Sequence, residues 1–169
     1  MKSSKSIKYR YISSVILRAF IRMMHPLKVR RGVFSFSHSE NETLCAFSSS
    51  MFIKNIGIDI EYITNKPRKS IIAHFKGSIN SHINKTKLSS HLVAIIVISC
   101  MESAFKASSF LTKKNFSLDI FDVLLITKNS CRLRIKLNEN ENLITNVTYT
   151  LSNKCVISLC CIKEKMLSG

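Results

Sequence analysis

The 169-residue sequence predicts a single α+β domain, and three features carry that expectation. Alternation of bulky with small or polar residues marks short strands at 32–38, 43–50 and 56–63. One nearly unbroken apolar run, HLVAIIVISCMESAFKASSF over 91–110, is too long for a strand and favours a buried helix. Alternation then returns over 132–137, 143–151 and 155–162, separated by the polar turns NENEN and Ser152-Asn153-Lys154, which reads as two hairpins of a small antiparallel sheet.

Taken in order, Tyr11, Ile12, Val15, Ile16, Ala19 and Phe20 recur at three- and four-residue spacing, so the spacing predicts an amphipathic helix with Arg10, Arg18 and Arg22 on or beside its wet face. Pro26 ends it, and the basic residues Lys28, Arg30 and Arg31 lead into Gly32-Val33-Phe34-Ser35-Phe36-Ser37-His38, a strand that finishes at the histidine. Ile56 to Ile63, IGIDIEYI, is β-branched and alternates after Gly57. Between Thr64 and about His91 the chain is rich in Ser, Asn, Lys and His, and nominates no long element.

Composition bounds the function without naming it. With 26 Lys and Arg against 10 Asp and Glu, the net charge of +16 calls for a polyanionic partner: nucleic acid, a nucleotide cofactor, an acidic protein or a membrane surface. Six cysteines show no CxxC spacing and no partner histidines, which argues against zinc and for reduced core thiols. Arg18 and Arg22 interrupt the early apolar stretch before it reaches signal length, and nothing reaches the roughly 20 apolar residues of a membrane span, so a cytoplasmic protein is expected. No fixed-period repeat is present.

Chemistry concentrates in two places. On a strand, residues two apart share a face, so Asp59 and Glu61 present paired carboxylates while Ile58 and Ile60 point the other way. On a helix, residues four apart share a face, which sets Glu102 one turn from Lys106. If the polar strand face meets the helix, three carboxylates surround a hard cation, and Lys106 faces whatever anion that cation bridges; magnesium suits such a site because it takes a few carboxylates plus phosphate oxygens. Either motif alone is ordinarily a solvated surface feature. Their combination about 40 residues apart, with a Ser-His pair upstream, is far more restrictive.

The order F-S-F-S-H (34–38), I-G-I-D-I-E (56–61) and S-C-M-E-S-A-F-K-A (99–107) resembles the three signatures of the group II 4′-phosphopantetheinyl transferases. The continuation E-S-A-F-K-A-S, a downstream F-x-L-D-I-F and a C-terminal V-I-S-L-C resemble its siderophore-synthase (enterobactin synthase component D-like) branch, over about Lys8 to Ile162. The resemblance implies a fold of two similar α+β halves, each a small antiparallel sheet with a long helix, meeting at a cleft that holds coenzyme A. The boundary would fall near Ile56, with a short first half, and 64–91 would help dock the carrier. It implies holo-[acyl-carrier-protein] synthase activity: the phosphopantetheine arm of coenzyme A passes to a serine of an acidic apo carrier protein, for nonribosomal peptide or siderophore synthesis. By resemblance, Asp59, Glu61 and Glu102 ligate magnesium, Glu102 is the base, and Lys106 meets the pyrophosphate. Arg10, Arg18, Ser37, His38 and Asp59 contribute to the coenzyme A site, and a monomer is expected.

The pattern departs from the family at Ile98, usually aromatic, and at Met101, where relatives carry a lysine. The connection before the Ser-His strand is also short, so that Lys28, Arg30 or Arg31 would have to supply a basic residue found there in the branch. Two alternatives follow: a truncated, weakly active or inactive homologue, and a basic nucleic-acid-binding protein. The latter calls for basic residues interleaved with aromatics, which are not apparent.

Overall fold

The computed structural model describes residues 8–12, 32–39, 42–64, 68–79, 81, 88–112 and 114–164. They form a mixed α+β structure with two antiparallel sheets. The first has β1 (Lys8–Ile12), β2 (Val33–Ser39) and β3 (Glu42–Ser48) in the order β1-β3-β2. The second has β4 (Ile53–Tyr62), β5 (Phe121–Ile126), β6 (Ser130–Lys136), β7 (Asn142–Leu151) and β8 (Cys155–Lys163) in the order β4-β8-β7-β6-β5. The helices include a short α1 (Lys69–His74) and a long α2 (Ser90–Ser108).

Two cores result. The larger lies between α2 and one face of the five-stranded sheet, filled by residues such as Ile95, Ile96, Leu133, Ile135, Val147 and Ile162. The smaller, between the sheets, gathers Leu44, Ala46, Ile56, Ile58, Ile60 and Cys155. Strand β4 serves both: Ile56, Ile58 and Ile60 enter the smaller core, and the residues between them, Gly57 and Asp59, turn to α2. That alternation is what aims the acidic residues at the helix.

Helix α2 begins where the Ser89 hydroxyl accepts the Leu92 N–H at 3.2 Å, a side-chain cap for an otherwise orphan donor. At its other end, the Asn55 side-chain amide donates to the Ala107 carbonyl at 3.0 Å. Its buried hydroxyls are satisfied: Ser103 donates to the Cys100 carbonyl and Ser108 to that of Ala104, while the Ser99 hydroxyl meets that of Ser158 on β8, which itself donates to the Ser99 carbonyl. Among the described residues it is the one helix long and apolar enough to cross a membrane, and most of it is buried in the protein.

The sheets meet along β2 and β4, whose residues advance together, so the strands run parallel there. The contact is not a ladder. The Ile58 N–H donates to the Ser35 hydroxyl at 3.1 Å and the Ile60 N–H to the Ser37 hydroxyl at 3.3 Å.

Most elements lie where alternation and periodicity put them, with three differences. Arg10, Tyr11 and Ile12 belong to strand β1 rather than to a helix, with Arg10 opposite Cys45. Aromatic and β-branched residues suit a strand, and KYRYI also alternates with period two. The rest of the expected helix, Arg18 and Arg22 included, lies outside the described residues, as do Lys28, Arg30 and Arg31. The segment after β4 contains α1, anchored by buried Ile71 and followed by buried Phe75 and Ile79. Strand β5 is not marked by alternation, because a register shift between Val123 and Leu125 leaves Leu124 and Leu125 both exposed.

Candidate cation site

The site forms where β4 crosses α2. Gly57 makes the crossing close: a Cβ there would lie 1.9 Å from the Ser103 carbonyl oxygen and 2.7 Å from the Ala107 nitrogen. With backbone against backbone at Gly57, Asp59 two residues on is brought to Lys106, and the amine–carboxylate distance is 2.8 Å. Lys106 also donates to the Ile58 carbonyl at 3.1 Å. Asp59, Glu61 and Glu102 each offer a carboxylate oxygen, and these oxygens all lie within 4.8 Å of one another.

Asp59 is 2% exposed. Its Oδ1 accepts from the Ser37 hydroxyl at 2.9 Å as well as from Lys106, whereas its Oδ2 is buried with no hydrogen-bond partner among the described residues. A buried carboxylate oxygen left without a donor is costly, and a cation or a neighbour's proton relieves it. Arg68 pairs with Glu61 at 2.5 Å. Three carboxyls thus meet two cations, each cation fastened to one of them.

The electrostatics follow from this crowding. Burial pushes the Glu61 carboxyl above the usual range, offset by Arg68 and reinforced by Asp59. Glu102 is pushed up to about 7, first by burial and then by the charge of Asp59, with Lys106 opposing and Glu61 adding. The folded state therefore holds a proton on Glu102 more tightly than the unfolded chain does. Its contribution to stability falls as pH rises from about 4.5 to about 7 and stays low above that. Glu102→Gln should thus be more stable than the parent at pH 8 in chelator, by roughly 1 kcal/mol once partial exposure is allowed for, and the gain should vanish near pH 4. Thermal melts across pH 4 to 8 check this; a gain independent of pH would contradict it.

Of the residues singled out in the sequence, the structure brings together Asp59, Glu61, Glu102, Lys106 and Ser37. His38 is next along β2 on its opposite face, exposed, while Arg10 is on β1. Met101 is fully buried in the larger core, and Ile98 nearly so, so neither position offers a surface to a cofactor. Arg68 was missed; it lies in the stretch without periodicity, seven residues beyond Glu61, and only the tertiary fold shows the pairing. No family model matches the chain, and no curated protein matches it significantly.

Proposed function

We propose that the protein is a 4′-phosphopantetheinyl transferase, moving the phosphopantetheine arm of coenzyme A to a serine hydroxyl of an acidic apo carrier protein. The observation that carries this reading is the convergence of three carboxyls from two separate motifs around a buried, unpartnered oxygen, with Lys106 beside them. The donor set fits magnesium: all oxygen, no thiolate or imidazole, and partly neutralised by protein cations. Asp59, Glu61 and Glu102 would hold it, and when bound it neutralises charge on the pyrophosphate and leaving bisphosphate.

The chain's own residues would do the rest. The serine oxygen attacks the phosphorus bearing the pantetheine arm, the bond to the bridging oxygen breaks, and adenosine 3′,5′-bisphosphate departs. The serine proton needs an acceptor, and Glu102, a carboxylate at the site, is the candidate, directly or through a water. Lys106 spends two of its three N–H donors on Asp59 and the Ile58 carbonyl; the third has no partner among the described residues and can meet a pyrophosphate oxygen. Exposed His38 and the basic residues of a chain of net charge +16 complement phosphates and an acidic carrier. With this reading goes an architecture of two like halves about a boundary near Ile56, in a monomeric cytoplasmic enzyme.

Purified protein incubated with coenzyme A, magnesium and apo carrier should add a phosphopantetheine-sized mass to the carrier. Chelation with EDTA should abolish the gain and excess magnesium restore it. No gain with aryl, peptidyl and acyl carriers alike would overturn the assignment, as would a gain indifferent to EDTA.

A further inference from the structure

Ser37 belongs to the Ser-His pair whose family role is contact with coenzyme A phosphate, yet its surroundings give it other work. The side chain is buried, 7% exposed. Its oxygen accepts the Ile60 N–H at 3.3 Å, and its hydroxyl donates to Asp59 Oδ1 at 2.9 Å. A serine hydroxyl has one proton, so once Asp59 takes it none remains to donate to a phosphate oxygen.

The effect on Asp59 is specific. Ser37 approaches Oδ1 from β2 while Lys106 approaches the same oxygen from α2, at 2.8 Å. Two donors from different elements fix the carboxylate's rotation and saturate one oxygen. The oxygen left over is Oδ2, buried and unpartnered. From this geometry we infer that Ser37 is a positioning residue, which holds the Asp59 carboxylate so that Oδ2 is kept for the cation, and that it does not bind the coenzyme A phosphate. The inference rests on the cation site proposed above. Outer-shell hydrogen bonds of this kind orient a metal-ligating carboxylate and characteristically contribute ten- to a hundredfold in affinity.

The fold supplies its own control. Ser35 lies two residues earlier on the same face of β2, is equally buried at 7%, and accepts the Ile58 N–H at 3.1 Å. Its hydroxyl donates to no carboxylate among the described residues. Losing either serine strips a β4 N–H of its acceptor, but only Ser37 touches a ligand.

Manganese can be titrated alone into the full chain, with the free ion followed by electron paramagnetic resonance, for the parent, S35A, S37A, S37T and D59N. S35A and S37A should lower the melting temperature in EDTA by similar amounts. Only S37A should weaken manganese binding, by roughly 10-fold or more, and S37T, which keeps the hydroxyl, should restore it. Should S37A not fold, S37C replaces it as a near-isosteric variant with a weak donor. Unchanged manganese affinity in S37A, or an equal loss in S35A, overturns the inference while leaving the cation site standing if the parent binds and D59N does not. Failure of the parent to bind manganese overturns the site and the inference together. A raised KM for coenzyme A but not for 3′-dephospho-coenzyme A, with manganese affinity intact, would return Ser37 to the phosphate.

Discussion

Asp59→Asn is expected to fold as well as the parent and to lose transfer on the order of 1,000-fold, about 4 kcal/mol of transition-state stabilisation. An asparagine has the same shape, and its carbonyl oxygen can still accept from Ser37 and Lys106, the two donors now on Oδ1. Its amide group then occupies the place of the unpartnered Oδ2. A donor there can bond to Glu61 or Glu102 and sits where a cation would, so the site is neutral at one ligand and blocked as well. In EDTA, melting should be unchanged or slightly raised, because a like-charge contact has gone. Magnesium should raise the melting temperature of the parent alone. Carrier mass gain, timed against the parent, checks the first half; residual transfer within tenfold of the parent would remove Asp59 from the machinery.

The second large effect concerns a residue with no chemistry of its own. Gly57→Ala should destabilise the protein by roughly 3 kcal/mol or more, since the added carbon would sit 1.9 Å from a carbonyl oxygen of α2 and neither backbone can give way cheaply. Relief requires the helix to lift from β4, which parts Asp59 from Lys106 and Glu102. Stability and transfer should therefore fall together, whereas Asp59→Asn separates them. Gly77→Ala is the matched control, because a carbon added there meets nothing within 4 Å. Urea denaturation of the three proteins decides the matter: a Gly57→Ala midpoint close to that of Gly77→Ala would show that the crossing is looser than described.

Much of this geometry is legible in the sequence. The face shared by Asp59 and Glu61, and that shared by Glu102 and Lys106, followed from periods of two and of about four, and both survive folding because each element is long and regular. What could not be read lacks a period. The β5 bulge puts two leucines in a row on the surface, and α1 is six residues long. Strand β1 is five residues whose aromatic and β-branched members fit two periods equally well, so its pairing with β3 decided between them. Arg68 and Ser37 act through partners 7 and 22 residues away, a distance that spacing arguments do not reach.

Ser35 and Ser37 of β2 also bear on solubility. Among the described residues strand β4 is paired through its backbone on one side, by β8, and on the other its N–H groups at Ile58 and Ile60 end on hydroxyl oxygens. An open strand edge of this composition, IKNIGIDIEY, would be a template for another chain. Side-chain oxygens that consume its donors give the strand a boundary without adding another rung to the sheet. The edge that carries the acidic residues is thereby closed to β-sheet recruitment, and the protein can keep a β-branched, alternating strand at its functional centre without inviting aggregation there.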